Sequence, residues 1–176
     1  MAKSEMIVLI PIGEVEKATL EALRQLLAEV FEQRIQIGDR ISLSQESWNE
    51  SRGQHLATML LNLVPLRSGG RALGVVDVDI FAPGLNFVFG EADIAGKRAL
   101  ISLHRLRQEL YGLPRDEKLF RERTLKEAVH ELGHTYGLGH CPDSTCVMHF
   151  SNSLSDTDVK NWNFCPNCRR KISRKL

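Results

Sequence analysis

The pattern of apolar and polar residues along the chain predicts strands that alternate with helices. Continuous apolar runs and period-two alternation predict strands at residues 6–12, 73–81, 86–90 and 97–106, and a strand or hairpin at residues 34–43. Apolar residues at helical spacing predict three helices, at residues 14–31, 54–64 and 116–136. This order favours an α/β fold in which a largely parallel sheet packs against helices.

Length, composition and charge fit one compact domain. The chain has 176 residues, of which 43% are hydrophobic, and this is enough for one core. Its net charge of +1 gives no field that would attract nucleic acid or a membrane surface. The apolar run at residues 6–12 is too short to span a bilayer. Because it also lacks the layout of a secretory signal, we expect a cytoplasmic protein, and we expect it to be a monomer.

Residues 130–140 read HELGHTYGLGH, which matches the zinc-protease pattern H-E-x-x-H-x-x-G-x-x-H. His130 and His134 are four residues apart, so on a helix their side chains share one face and can bind one ion. Glu131 then lies close to the metal without binding it, and is free to accept a proton from zinc-bound water. Gly137 can adopt a left-handed conformation that ends the helix and returns the chain, which makes His140 the third ligand. Three imidazoles leave one position of a tetrahedral zinc open, as in catalytic sites.

All four cysteines of the chain follow this motif. Cys141 and Cys146 have the spacing C-x4-C, and Cys165 and Cys168 form C-P-N-C, which together favour a closed four-thiolate zinc site. The alternatives are a redox pair or unconnected thiols. A redox pair would leave Cys141 and Cys146 unexplained, and disulfides are rare in the cytosol. We therefore expect two zinc ions per chain, one catalytic and one structural.

The combined string from His130 to Cys168 resembles the archaemetzincin family of metzincin-clan zinc metallopeptidases. In particular, Cys141 directly follows the third histidine, and Met148 stands two residues after Cys146. The resemblance implies a metzincin-like α/β fold, with a twisted, mostly parallel sheet, an antiparallel edge strand and packed helices. It also implies a single catalytic domain over residues 1–176. Residues 1–137 form its N-terminal subdomain, which ends with the active-site helix, and residues 138–176 form an irregular, zinc-bound C-terminal subdomain.

The resemblance also assigns a role to each residue of the motif. His130, His134 and His140 match the ligands of the catalytic zinc, and Glu131 matches the general base. Met148 matches the methionine of the Met-turn beneath the active site. The second, structural zinc is assigned to Cys141, Cys146, Cys165 and Cys168. The strand that borders the substrate cleft is assigned to Asn86, Phe87, Val88, Phe89 and Gly90.

These assignments predict a zinc-dependent peptidase in which metal-activated water attacks a peptide bond and Glu131 serves as the base. The expected partner is a peptide or protein substrate. Two alternatives remain open: a zinc-dependent hydrolase of another amide, and a zinc-stabilised binding protein with little turnover. The sequence does not distinguish an aminopeptidase from an endopeptidase.

One position departs from the pattern of some metzincins, which carry a tyrosine two residues after the Met-turn methionine. Here Phe150 stands two residues after Met148. Tyr111 and Tyr136 are the remaining candidates to help stabilise the oxyanion, although packing is the favoured role for each. Oxyanion stabilisation would then fall mainly on the zinc.

Other polar residues have structural interpretations. His55 and His104 are expected in core or surface roles, and His149 is a candidate for a cleft residue. Asp77 and Asp79 alternate with valines, which is typical of the polar face or end of a strand and favours that role over a cation site. A basic tail is interpreted as solvated rather than as a nucleic-acid contact. It contains Arg169, Arg170, Lys171, Arg174 and Lys175.

Overall fold

A computed structural model describes residues 6–66 and 69–175 of the chain. Its strands are β1 (Met6–Pro11), β2 (Ile35–Ile37), β3 (Trp48–Asn49), β4 (Gln54–Leu56), β5 (Gly70–Val76), β6 (Ile80–Phe81), β7 (Gly90–Asp93) and β8 (Arg98–Ser102). Its α-helices are α1 (Lys17–Phe31), α2 (Ala57–Leu61), α3 (Glu117–Thr135), α4 (Leu154–Val159) and α5 (Pro166–Ile172). Within these described ranges, no helix is both long enough and apolar enough to cross a bilayer.

The main sheet has five strands in the order β2-β1-β5-β8-β7. Strand β1 pairs in parallel with both β2 and β5, and β5 pairs in parallel with β8. Strand β7 alone runs antiparallel, against β8, and lies at the edge of the sheet. A smaller sheet has the order β3-β4-β6. The predicted fold class, a mostly parallel sheet with an antiparallel edge strand packed against helices, is confirmed.

Both faces of the main sheet are covered, because successive side chains of a strand point to opposite faces. On one face, Ile7 and Leu9 of β1 belong to a core cluster that includes apolar residues of helices α1 and α3. On the other face, Val8 and Ile10 belong to a cluster that includes apolar residues of α2. Helices α1 and α3 therefore pack on one face of the sheet, and α2 packs on the other.

The predicted helix at residues 54–64 is only partly correct. Its first three residues form β4, and α2 occupies only Ala57–Leu61. His55 pairs with Trp48 of β3 and with Ile80 of β6. Helical periodicity in the sequence does not reveal such non-local pairing, which here overrides the local preference.

Three predicted strands are shorter than expected. The strand at residues 73–81 is divided, because β5 ends at Val76 and β6 belongs to the smaller sheet. The strand at 97–106 ends at Ser102, and a 3-10 helix follows at His104–Leu106. The segment 34–43 contains β2 and, beyond it, a single bridge between Ile41 and Ile12.

The position of the edge strand is the largest correction. A strand was expected at residues 86–90, but β7 runs from Gly90 to Asp93, and residues 86–89 are irregular. The aromatic residues of this segment pack locally: the rings of Phe87 and Phe89 meet edge to face at 5.2 Å. The guanidinium of Arg105 also stacks on Phe87, 4.4 Å from the ring centroid. The aromatic enrichment that suggested a strand thus reflects side-chain packing.

Candidate active site and metal centres

Helix α3 carries His130, Glu131 and His134 of the motif. It begins at an N-cap, where Asp116 Oδ1 accepts a hydrogen bond from the Leu119 N–H at 2.9 Å. It ends where Gly137 adopts a φ of 81°, which confirms the left-handed turn expected there. The N–H of Leu138 then donates back to the Gly133 carbonyl at 3.2 Å, so the chain leaves the helix sharply.

The three histidines of the motif lie together. Among the described residues, the candidate ligand atoms of His130, His134 and His140 all lie within 4.8 Å of one another. The Nε2 atoms of His130 and His134 are 3.1 Å apart. Nitrogens bound to one tetrahedral zinc at about 2.1 Å are separated by roughly 3.4 Å, so the pair has the spacing that zinc requires.

Hydrogen bonds fix the tautomers of the two helical histidines. His130 Nδ1 lies 2.8 Å from the Val147 carbonyl oxygen, and His134 Nδ1 lies 2.7 Å from that of Leu138. Because a carbonyl only accepts, each Nδ1 carries the proton and each Nε2 keeps a lone pair for a metal. Burial also lowers the pKa of both rings, that of His130 well below its usual value, which favours the neutral form. This donor set fits a zinc ion.

Glu131 lies in the same cleft, with 7% of its surface exposed. Burial raises the pKa of this carboxyl well above its usual value, and the nearby charge of Glu127 raises it further. A carboxylate with a raised pKa, held near a metal, is suited to accept a proton and later return it. Gly90 of the edge strand packs directly on Glu131, because a Cβ at that position would lie 2.6 Å from its Cγ.

The cleft around these residues has a volume of about 490 Å³. Strand β7 and the segment before it form one wall, which includes Phe87, Val88, Phe89 and Gly90. Asn86 is not among its lining residues in the described chain; its carbonyl accepts hydrogen bonds from Arg52 and Gln54. The predicted rim segment therefore borders the cleft, although mostly as irregular chain.

The four cysteines form a second cluster. Their sulfur atoms all lie within 4.8 Å of one another, and the Cys141 and Cys165 sulfurs are 3.8 Å apart. A disulfide would need about 2.05 Å, whereas sulfurs bound to a tetrahedral zinc at about 2.3 Å are separated by about 3.8 Å. The Cys168 N–H lowers the pKa of the Cys165 thiol to about 7, which favours a thiolate there, whereas burial raises the pKa of the Cys146 and Cys168 thiols. The cluster fits a four-thiolate zinc site.

Met148 is fully buried and packs against helix α3 at Gly133. Its Sδ would overlap a Cβ at position 133, so Gly133 gives the methionine room against helix α3. The residues before Met148 connect the two clusters, because Cys146 belongs to one and the carbonyl of Val147 orients His130 of the other. The role of Met148 in a Met-turn stays a prediction from the resemblance.

The remaining polar candidates have structural partners. Tyr136 is buried, with its hydroxyl donating to Gln33 at 3.0 Å, while the hydroxyl of Tyr111 donates to the Arg105 carbonyl at 3.3 Å. Asp77 and Asp79 pair with Arg107 and Arg105, respectively, which matches the structural role expected for them. His55 is buried, and its Nδ1 lies 2.7 Å from the Ser47 hydroxyl.

Several residues of the site escaped the sequence analysis. Glu127 and Glu91 line the cleft, and Lys160 is fully buried beneath it. For Lys160 no local signal exists, because a lysine in a polar segment is normally exposed. Gly133 did carry a signal, since glycine inside a helix costs about 1 kcal/mol relative to alanine and so calls for a packing reason.

The fold and the two clusters define a class of zinc peptidase, and comparisons with known proteins identify the family. The model of Peptidase family M54 matches residues 67–174. An archaemetzincin from Pyrococcus furiosus is 46% identical over 182 aligned residues, covering 98% of this chain and 94% of that protein. One from Methanocaldococcus jannaschii is 47% identical over 162 residues, covering 92% and 89%.

Solved structures agree with these matches. A crystal structure of the archaemetzincin from Archaeoglobus fulgidus, complexed with malonate, superposes with a TM-score of 0.84 at 40% identity and covers 94% of this chain and 99% of that one. That of the archaemetzincin from Methanopyrus kandleri gives a TM-score of 0.85 at 37% identity and covers 98% and 96%. The chain belongs to the archaemetzincins, a family of zinc metallopeptidases, as its motifs suggested.

Proposed function

We propose that the chain hydrolyses peptide bonds in the cleft beside α3, with His130, His134 and His140 as zinc ligands and Glu131 as the general base. The observation that carries this proposal is the placement of the Glu131 carboxylate in the cleft, next to three convergent imidazoles. When bound there, zinc supplies a Lewis acid that polarises a carbonyl and lowers the pKa of water towards about 7.

The side chains of the protein do the rest of the chemistry. Glu131 takes a proton from the attacking water and passes it to the departing amine, and its raised pKa suits both steps. The hydrogen bonds to Val147 and Leu138 keep the ligand nitrogens of His130 and His134 directed into the cleft. The shared wall of Gly90 and Glu131 excludes water from one side of the carboxylate.

The edge strand is the proposed docking site for an extended substrate. Strand β7 pairs with β8 on one side only, and it lines the cleft on the other. A peptide could add to this edge through main-chain hydrogen bonds. Phe87, Val88 and Phe89 precede the strand and shape the rim. Substituting Phe87 and Val88 should therefore raise the KM of a cleaved peptide; an unchanged KM would count against this docking mode.

We also propose that each chain binds two zinc ions, the second held by the four cysteines. The 3.8 Å separation of the Cys141 and Cys165 sulfurs supports this assignment. Metal analysis of the purified protein should give two zincs per chain. Replacing Cys165 and Cys168 by serine should reduce the count to one, while a count of one in the unaltered protein would exclude the second site.

A peptide library tests the activity most directly. Incubation with and without a chelator, followed by mass spectrometry, should reveal cleavage that depends on metal. Comparing free with acetylated N-termini distinguishes an aminopeptidase from an endopeptidase. Cleavage only of non-peptide amides would favour the alternative hydrolase, and no product under any condition would favour a binding protein.

The variant Glu131→Gln is the matched control for the chemistry. It keeps the size of the side chain and removes its basicity. We expect retained zinc and a loss of turnover of about 10²–10⁴-fold, the usual contribution of general acid–base catalysis. Turnover equal to that of the unaltered protein would refute the role of Glu131.

We propose that residues 1–176 form a single catalytic domain, with subdomains at residues 1–137 and 138–176. We also propose that the protein is a monomer and is located in the cytoplasm. Light scattering of the purified protein tests the monomer, and localisation of a tagged chain tests the compartment.

A further inference from the structure

His140 is the least supported of the three candidate ligands. His130 and His134 lie on a helix, and each Nδ1 has a carbonyl partner. His140 lies on irregular chain and is exposed, and within the described residues no hydrogen bond to its ring is found. Its position must therefore be set by ring packing and by the neighbouring chain rather than by a hydrogen bond to its own ring.

One short segment supplies that support. Phe150 packs against the His140 ring, with ring centroids 5.0 Å apart. The residue after His140 is held twice by the same segment: the Cys141 N–H donates to the Met148 carbonyl at 2.9 Å, and His149 Nδ1 lies 2.8 Å from the Cys141 carbonyl. The segment 148–150 is thus the support for the third ligand.

A buried ion pair contacts this segment. The Nζ of Lys160 lies 2.9 Å from a carboxylate oxygen of Glu127, and it donates to the His149 carbonyl at 3.4 Å. The lysine side chain is 0% exposed and that of Glu127 is 3% exposed. Glu127 lies on α3, one turn before Glu131, so the pair connects the helix of the first two ligands to the support of the third.

Stability alone does not explain a pair of this kind. Moving two charges out of water costs several kcal/mol per ion, and a hydrophobic replacement of similar volume is often neutral or stabilising. The orientation of the Glu127 carboxylate is also fixed, because the Thr157 hydroxyl donates to the same Glu127 oxygen at 3.2 Å. A geometric role at the neighbouring site accounts for its presence.

We propose that Lys160 and Glu127 are positioning residues for the third metal ligand: they fix the segment 148–150 on α3, and this segment fixes His140. The inference rests on the proposed zinc site and adds to it two residues that act through the His149 carbonyl. Outer residues that orient metal ligands typically change metal affinity by 10–100-fold when they are replaced.

The test uses the double variant Glu127→Leu/Lys160→Met, which removes both charges and leaves neither buried alone. The matched control is Lys126→Met, because Lys126 is also buried on α3 but donates to the carbonyls of Thr157 and Asp158, away from His149. The zinc ion of the three-histidine site is first removed by dialysis against a mild chelator. Cobalt is then titrated into the three-histidine site and followed by its visible absorption.

We expect the double variant to bind cobalt about 10–100-fold more weakly and with a changed visible spectrum. Lys126→Met should keep the affinity and spectrum of the unaltered protein even where its unfolding free energy falls. If the double variant had the cobalt affinity and spectrum of the unaltered protein, this inference would be overturned and the proposed metal site would still stand. Failure of the unaltered protein to bind cobalt would overturn the proposed metal site, and the inference with it.

Discussion

Replacing Gly90 by alanine tests how closely the edge strand packs on the proposed general base. A Cβ at position 90 would lie 2.5 Å from the Leu100 carbonyl oxygen and 2.6 Å from Glu131 Cγ. The closest carbon–oxygen contacts between strands are about 3.3 Å, so the atoms must separate by roughly 0.8 Å. The carbonyl belongs to the backbone of β8 and has no rotamer to change, so β7 or Glu131 has to move.

The size of this movement sets the expected effects. Overpacking of this kind costs about 1–3 kcal/mol, and we expect the unfolding free energy of Gly90→Ala to fall by that amount. A misplacement of about 1 Å near a reacting centre can reduce turnover about 10²-fold, and we expect a loss of this order in kcat. Zinc content should not change, because the atoms nearest to a Cβ at position 90 belong to Leu100 and Glu131 and not to the three histidines.

Denaturant unfolding of the zinc-loaded protein measures the first effect, and hydrolysis of a cleaved peptide measures the second. Gly139→Ala is the matched control, since a Cβ there meets no atom within 4 Å. Such a substitution at an unstrained site is neutral or stabilises by about 0.4–1 kcal/mol. If Gly90→Ala kept both the unfolding free energy and the turnover of the unaltered protein, the packing argument would be wrong.

Three further predictions concern the surroundings of the site. In a double-mutant cycle, Gly133→Ala and Met148→Ala should couple by more than about 0.5 kcal/mol, because the new methyl occupies the space of the methionine; additive effects would exclude that contact. The hydroxyl of Ser153 lowers the pKa of Asp156 in the folded protein. The ionised Asp156 therefore stabilises the fold above its unfolded-state pKa of about 3.9, and this stabilisation is lost as pH falls through the lower folded-state pKa. The stability difference between the unaltered protein and Asp156→Asn should therefore shrink below about pH 4, and a constant difference would contradict this. Removing all zinc with a strong chelator should lower the melting temperature, and added zinc should restore it, because the ions bind the folded chain; an unchanged melting temperature would argue against both sites.

The sequence predicted best what depends on local pattern. The helix expected at residues 116–136 is observed at Glu117–Thr135, because its periodicity, its N-cap and the turn at Gly137 all act within a few residues. The three histidines and four cysteines could be grouped because metal ligation requires fixed residue types at short spacings. Their convergence in space follows from that chemistry.

What the sequence did not reveal depends on non-local contacts. The edge strand was placed about four residues early, because Phe87 and Phe89 resemble strand residues but pack on each other. The pair between Lys160 and Glu127 joins residues 33 positions apart, and only the docking of α4 on α3 makes it visible. Gly90 owes its role to the approach of β7 to α3, which no periodicity encodes.

The unequal support of the three histidines has a consequence for the kinetics of metal exchange. A zinc ion in this centre would be held by two nitrogens on a rigid helix and by one on the exposed return of the chain. If zinc occupies this centre, we expect its departure to begin at His140, while the helical pair would keep the ion at high effective concentration for rebinding. The rate of metal loss would then depend on the opening of the segment that supports His140, and a substrate bound over this segment would slow the exchange of metal.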